Sequence, residues 1–244
     1  MKQVRATGYG SRFIAFMLAP LLFPQSKLVL SHLPLLPEAK GKHYGSIGGP
    51  DAVRLLILGD STAAGVGVER HSDGLPGALS RKLAATLGRG VAWQVHARSG
   101  ATTGELRSYS LPAATSEPFD IVFLTTGVND VMQLRRKRQF MHDLGEILDA
   151  LRAESPEAWI IVPGVPRMGR FDSLPDPLSS ILGARAHRIN TGAREVIDGR
   201  YRVVHTKPWP IGVPGFFAQD DFHPSVIGYE AWANASVDYW RARS

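Results

Sequence analysis

A single serine stands where an apolar run ends in the segment LLILGDSTAAGVG, which covers Leu55–Gly67. The apolar residues predict a buried strand, and Gly-Asp-Ser with small residues after it predicts a sharp turn into a helix. Ser61 would then either cap that helix or act as a nucleophile, because its hydroxyl would project beside free backbone N–H groups. Both interpretations stay open on this segment alone. We expect Asp60 to hydrogen-bond within the loop.

A nucleophilic serine needs a base, and the segment DDFHPS near the end of the chain offers one. Among the eight histidines, only His223 has an aspartate three positions earlier, which is Asp220. On a turn, this spacing lets the carboxylate accept from one ring nitrogen and leaves the other nitrogen for a serine hydroxyl. The competing interpretation is a polar loop in which Asp221 caps the last helix.

Two further residues could bind the negative charge that develops on a carbonyl oxygen under attack. Gly100, in RSGATT, lets a backbone N–H approach a ligand closely because it has no Cβ. Asn129, in GVND, offers a side-chain amide donor that does not titrate. With the Ser61 N–H, these residues would supply three donors to one oxyanion. Both are also ordinary turn residues, so neither identifies a site alone.

The elements that must position these residues alternate between strand and helix. Apolar runs predict strands over residues 53–59, 91–97, 119–127, 158–164 and 201–206. Amphipathic stretches predict helices over residues 74–88, 140–156, 177–199 and 224–240. This alternation predicts an α/β fold, a three-layer α/β/α sandwich around a parallel sheet. Ligands bind beyond the carboxyl ends of the strands in such folds, which is where the four candidate segments are expected.

The composition excludes several kinds of site. The chain has 244 residues, of which 44% are hydrophobic, so it can bury a large core. It has no cysteine, which excludes disulfides, thiolate metal sites and a cysteine nucleophile. Residues 1–50 carry six Lys and Arg against one acidic residue, whereas residues 51–244 carry 22 against 21. The nearly neutral body gives no reason to expect a nucleic-acid partner, and we expect neither a metal nor a cofactor.

Residues 1–50 are interpreted as a basic, apolar extension and linker that precedes a catalytic domain over residues 51–244. The apolar run Arg12–Phe23 is interrupted by Pro20 before it reaches the length of a membrane span. Three interpretations stay open: an anchor that contacts a membrane through residues 1–40, a weak signal sequence, or a helix packed on the domain. The glycine-rich segment His43–Val53 predicts a linker. We expect a cytoplasmic or membrane-associated protein rather than a secreted one.

The four segments, in their order along the chain, resemble the blocks of the SGNH hydrolase family, also called the GDSL lipase/esterase family. The resemblance covers roughly Leu55 to Trp240, and only Thr62 departs from the Gly-Asp-Ser-Leu spelling of the first block. The matching blocks are Ser61 in GDST, Gly100 in RSGAT, Asn129 in GVND and His223 in DDFHP.

The resemblance implies both a fold and a set of roles. The fold would be a flavodoxin-like sandwich with five parallel strands. Ser61, His223 and Asp220 would form a catalytic triad. The backbone N–H groups of Ser61 and Gly100 and the side chain of Asn129 would form the oxyanion hole. The implied activity is that of a serine esterase that works through an acyl-enzyme and needs no metal.

The substrate is less well determined than the chemistry. We expect a small ester with a short acyl group, bound between apolar walls. Lysophospholipase, thioesterase and carbohydrate O-deacetylase activities are alternatives within the family, and a membrane- or lipid-binding protein on an inactive sandwich is the alternative outside enzymes. The basic run Leu134–Phe140 predicts a solvated face, or else a contact for anionic headgroups. The candidate wall residues are Met168, Phe171 and Leu174 in one loop and Phe216 or Phe217 in another.

Overall fold

The computed structural model describes residues 35–49 and 51–244 of the chain. The interpretations placed on residues 1–34, including the anchor and the signal sequence at Arg12–Phe23, lie outside the described residues. Within those described residues, none of the helices has the length and hydropathy needed to cross a bilayer.

Six strands form one sheet in the order β1-β3-β2-β4-β5-β6. The strands β2 to β6 run parallel to one another, and β1 is antiparallel to β3. The parallel strands follow the flavodoxin-like order, in which the first of them lies between the second and the third. The predicted α/β sandwich is therefore confirmed. The strands are β1 Tyr44–Ile47, β2 Val53–Gly59, β3 Val91–Ala97, β4 Ile121–Thr125, β5 Trp159–Pro163 and β6 Val203–Thr206.

Helices cover both sides of this sheet, with α1 packed against α7 and α5 packed against α6. The helices are α1 Leu75–Leu87, α2 Thr103–Glu105, α3 Leu111–Ala114, α4 Val128–Met132, α5 Lys137–Glu154, α6 Leu178–Ile197 and α7 Val226–Arg241. A π-helical turn over Leu106–Ser110 joins α2 to α3, and a 3₁₀ turn covers Met168–Arg170. The short elements α2, α3 and α4 were not predicted, because segments of this length carry too little periodicity.

The central strands β2 and β4 hold the middle of the core. All five residues of β4 are buried, and Arg54 alone in β2 is partly exposed. Strands with neighbours on both sides and helices on both faces contact no water, which explains their continuous apolar sequence. The point where the chain order reverses lies between β2 and β4, so the crevice expected of this fold opens beside the residues that follow those two strands.

The predicted linker over His43–Val53 is wrong in its first half, because Tyr44–Ile47 forms the edge strand β1. The strand is short, contains a glycine and leaves two of its four residues exposed, so it has little apolar pattern to detect. Gly45 lies against the ring of Trp93, and a Cβ at this position would come within 2.5 Å of it. The sheet therefore has six strands rather than five, and it includes residues before the predicted boundary at residue 51.

Two residues of the basic run Leu134–Phe140 form ion pairs within the protein and are not fully solvated. The Arg135 guanidinium donates to Asp130 at 2.9 Å and to Asp143 at 2.8 Å. Lys137 pairs with Glu195 on α6 at 2.7 Å. Arg138 is exposed, in keeping with the predicted solvated face.

Candidate active site

Ser61, His223 and Asp220 form a continuous chain of hydrogen bonds at the carboxyl end of the sheet. The Ser61 Oγ lies 2.9 Å from His223 Nε2, and His223 Nδ1 lies 2.6 Å from Asp220 Oδ2. The ring donates its Nδ1 proton to the carboxylate, so Nε2 of the neutral ring can accept the serine hydroxyl proton. A base within hydrogen-bond reach of a hydroxyl is the geometry that nucleophilic catalysis requires.

Asp220 is held by the turn that also presents His223. Its Oδ1 accepts backbone N–H groups from Phe222 at 3.0 Å and from His223 at 2.9 Å, and its Oδ2 accepts from the imidazole. Burial would raise the pKa of Asp220, but the hydrogen bonds from His223 and Phe222 outweigh it and hold the pKa below its usual value. The carboxylate is therefore ionised at neutral pH and can stabilise an imidazolium.

The capping role considered for Asp221 belongs instead to Ser225. The Ser225 hydroxyl accepts from the Gly228 N–H at 3.2 Å at the start of α7. Asp221 is exposed and has a positive φ of 49°. The two aspartates of this turn therefore differ in role: Asp220 accepts a hydrogen bond from His223, whereas Asp221 is exposed to solvent.

The loop after β2 explains how Ser61 is presented. Hydrogen-bonded turns, rather than the predicted regular helix, follow the serine. Asp60 accepts from the Thr62 N–H at 3.1 Å and from the Thr62 hydroxyl at 2.8 Å, as expected of a loop residue. Burial raises the pKa of Asp60, and its hydrogen bonds and the charge of His223 only partly offset this. Asp60 thus satisfies the polar groups of Thr62 in the turn, and the Ser61 hydroxyl bonds His223 instead.

The three predicted donors lie just beyond β2, β3 and β4, with Ser61 and Gly100 on loops and Asn129 in the first turn of α4. Gly100 has a φ of +75°, a conformation that favours glycine. The Asn129 Nδ2 donates to Ala101 O at 3.0 Å, which uses one of its two protons and leaves the other. Within the described part of the chain, the N–H groups of Ser61 and Gly100 donate to no other atom. Their joint action on an oxyanion remains a prediction.

A buried ion cluster that we did not predict fixes the Asn129 segment. Asp130 is fully buried and accepts from the Thr103 N–H at 2.9 Å and from the Thr103 hydroxyl at 2.7 Å. Its other oxygen accepts from Arg135, which also bonds Asp143 on α5. The cluster therefore ties α4 to α2 and α5. The Asn-Asp pair in GVND was the available signal, but the partners of Asp130 could not be deduced from it.

Most of the predicted wall residues lie in the core instead. Met168, Phe171, Leu174 and Phe216 are each 5% exposed or less. They are buried because the two loops that carry them pack against each other, with the Phe171 ring 5.0 Å from that of Phe217.

Phe217 and Phe222 are the partly exposed members of this aromatic group. The Phe222 ring lies 5.6 Å from Phe171 and 5.3 Å from the imidazole of His223. Sequence reasoning missed Phe222, although it stands next to the predicted base.

The other histidines do not converge on this site. The Nδ1 of His205 lies 3.0 Å from Val162 O, while His142 and His187 are exposed. His71 is 2% exposed, and neither of its ring nitrogens has a hydrogen-bond partner. Among the described residues, no group of three or more His, Asp and Glu side chains could hold a metal ion.

Comparison with known proteins places these features in one family. The model of the GDSL-like lipase/acylhydrolase family matches residues 57–231. The GDSL-like esterase Rv1075c of Mycobacterium tuberculosis (strain ATCC 25618 / H37Rv) is 29% identical over 195 residues, which are 74% of this chain and 59% of that protein. The chain thus spans well under two thirds of the length of this curated relative.

Solved structures show the same fold. The lipase Lip_vut3 from a goat rumen metagenome superposes with a TM-score of 0.60 at 19% identity, covering 78% of this chain and 97% of that one. The lipase/acylhydrolase of Enterococcus faecalis gives a TM-score of 0.59 at 22% identity, covering 78% and 96%.

Proposed function

Because the chain belongs to the GDSL-like lipase/acylhydrolase family, we propose that it is a serine esterase in which Ser61 is the nucleophile, His223 the general base and Asp220 its orienting carboxylate. The observation that carries the proposal is the unbroken pair of hydrogen bonds, 2.9 Å and 2.6 Å long, that joins these side chains. A merely structural serine at this position would bond a backbone group, whereas this hydroxyl bonds an imidazole.

The first half of the reaction is acylation. His223 Nε2 takes the hydroxyl proton as Ser61 Oγ attacks the ester carbonyl carbon, and the carbonyl oxygen becomes an oxyanion. The N–H groups of Ser61 and Gly100 and the Asn129 amide stabilise that oxyanion. The C–O bond to the alcohol then breaks, and the imidazolium gives its proton to the leaving oxygen.

The second half releases the acid. Water enters in place of the alcohol, and His223 takes one of its protons while the oxygen attacks the acyl carbon. The same donors bind the second oxyanion, and Ser61 leaves with the proton held by His223. Asp220 stays ionised through both halves, because its pKa is held below the usual value.

We propose that the acyl group of the substrate is short. A cavity beside the Ser61 loop, lined by Thr62, Val128 and Trp232 among others but not by Ser61 itself, measures about 10 Å³, which is room for about one water molecule. Behind His223, the buried Phe171 ring packs against those of Phe217 and Phe222, which are partly exposed. Neither this cavity nor the packed rings would accommodate a long acyl chain, so we expect its added methylenes to gain little binding energy.

Hydrolysis of p-nitrophenyl esters from acetate to dodecanoate, by wild type and Ser61→Ala in parallel, tests this proposal. We expect wild-type kcat/KM to be highest for acetate or butyrate, and Ser61→Ala to lose about 10⁴-fold or more. Activity that survives the substitution would place the nucleophile elsewhere. Folded wild-type protein that hydrolyses none of the esters, yet binds lipid vesicles, would favour the inactive lipid-binding alternative.

A further inference from the structure

The segment that precedes β1 contacts both loops that carry backbone donors of the proposed oxyanion hole. The Ala39 N–H donates to Ala64 O in the Ser61 loop at 3.0 Å. Glu38 Oε1 accepts from the Ser99 N–H at 3.2 Å, beside Gly100. We call residues 38–40 the brace. It lies outside residues 57–231, which the family model matches.

The Ser61 loop is shaped to receive the brace. Ala39 is 7% exposed, and Gly65 faces it with a φ of +76°. A Cβ on Gly65 would lie 2.6 Å from the Ala39 Cβ, so the close approach depends on both residues being small. The Lys40 N–H also donates to Glu69 O at 2.8 Å. The brace is therefore seated by packing and by two main-chain hydrogen bonds.

The direction of the Gly100 N–H depends on the turn that Glu38 contacts. Arg98 O accepts from the Ala101 N–H at 3.1 Å, which makes Ser99 and Gly100 the central residues of a β-turn. The positive φ of Gly100 suits the third position of a type II turn. Types I and II differ mainly in the orientation of the peptide between the central residues. That peptide carries the Gly100 N–H.

The two peptides that flank the Ser99–Gly100 peptide are each held by a side-chain hydrogen bond. Glu38 takes the N–H of Ser99, and Gln133 Nε2 donates to Gly100 O at 3.3 Å. The Gly100 N–H itself donates to no atom of the described residues. A donor stabilises an oxyanion most when its direction is fixed before the reaction.

We propose that Glu38 is a positioning residue for the oxyanion hole. Its carboxylate accepts the N–H of the Arg98–Ser99 peptide. By holding this peptide, it limits movement of the adjoining Ser99–Gly100 peptide, whose N–H would point toward the oxyanion. Glu38 touches no reacting atom. This inference rests on the proposed function, since it assigns a positioning residue to the same site.

The test compares Glu38→Ala with Glu38→Gln, which keeps an acceptor oxygen. We expect Glu38→Ala to lower kcat about tenfold with KM changed less than about twofold, because the turn is loosened rather than removed. Affinity for phenylboronic acid should fall by a similar factor. Ser61 Oγ adds to its boron while His223 takes the hydroxyl proton, which gives a tetrahedral boronate with an oxygen in the oxyanion hole. Glu38→Gln should recover most of both losses.

A second variant displaces the brace without changing Glu38. In Ala39→Leu, the larger side chain cannot fit against Gly65. The brace should therefore move away from the Ser61 loop, and kcat and phenylboronate affinity should fall in parallel. Lys42→Ala is the matched control, because this side chain close to the brace is exposed and lies over the Tyr44 ring. It should leave both quantities unchanged.

The outcomes separate this inference from the proposed function. Wild-type turnover that is lost in Ser61→Ala but unchanged in Glu38→Ala would overturn the role of Glu38 and leave the esterase intact. Equal losses in Glu38→Ala and Glu38→Gln would also contradict it, because the acceptor oxygen would then not matter. If wild type hydrolysed no ester and bound no phenylboronic acid, the proposed function would fail first.

Discussion

At the residue scale, one turn sets both the orientation of the proposed base and the ionisation of the aspartate that orients it. Asp220 is 4% exposed and receives two backbone hydrogen bonds in addition to the one from the imidazole. The backbone bonds fix Oδ1, so Oδ2 is left for His223 Nδ1. A neutral side chain at this position would keep the shape of the turn, but it could donate to Nδ1 and so favour the wrong tautomer of the ring.

We therefore expect Asp220→Asn to reduce kcat by about 10³ to 10⁴-fold while the fold is retained. Asp221→Asn is the matched control, because Asp221 is adjacent and exposed. The measurement is kcat on p-nitrophenyl acetate, with circular dichroism for the fold. An Asp220→Asn enzyme within about tenfold of wild type would show that the carboxylate does not orient the base.

At the scale of the elements, buried charge joins α4 to α2 and α5, in addition to the apolar packing of Val131 in the core. Arg135 lies between Asp130, which is fully buried, and Asp143, which is 4% exposed. Asp130 also bonds Thr103 at the start of α2. The cluster fixes the segment that presents Asn129, so its integrity matters both for stability and for the proposed oxyanion hole.

Replacing Arg135 by methionine should lower the free energy of unfolding by about 3 kcal/mol, because the fully buried Asp130 would lose its cation. Asp143 would keep its ion pair with Arg107 at 3.1 Å. Arg138→Met removes an exposed charge from the same basic run and should change stability by less than about 0.5 kcal/mol. Urea unfolding at neutral pH measures both. Equal stabilities of the two variants would mean that the cluster contributes no net stabilisation.

The regular elements and the loops differ in how well they can be predicted from the sequence. Ser61, Asp220 and His223 belong to short segments whose spacing reports their local geometry, and the long strands and helices carry clear periodicity. The edge strand β1 escaped prediction because its hydrogen bonds go to β3 and its own residues are half exposed. The burial of Phe171 and the contact of Glu38 with Ser99, which are 61 residues apart, depend on loops meeting in space, which no local pattern records.

At the scale of the whole molecule, burial of histidines couples stability to pH. Burial lowers the pKa of His71, His96 and His205 below the usual value. A folded-state pKa below that of the unfolded chain favours folding fully above about pH 6.5, and this contribution is lost as the pH falls toward the folded pKa. The protein should therefore become less stable on mild acidification.

His71 is the clearest case, because both of its ring nitrogens lack partners. We expect His71→Leu to weaken the decline of the unfolding free energy between about pH 7 and about pH 5, since one titrating group is removed. His187→Leu, at an exposed position on α6, should keep the wild-type slope. Thermal unfolding across this range measures the slopes, and identical slopes for His71→Leu and wild type would contradict the assignment.

Covalent labelling with a fluorophosphonate tests most directly whether Ser61 is the nucleophile. Its hydroxyl oxygen would attack phosphorus, fluoride would leave, and His223 would take the proton. We expect mass spectrometry of the digested protein to find one phosphonyl adduct, on the peptide that contains Ser61, and none on Ser61→Ala. Labelling of a different serine, or equal labelling of Ser61→Ala, would contradict the account.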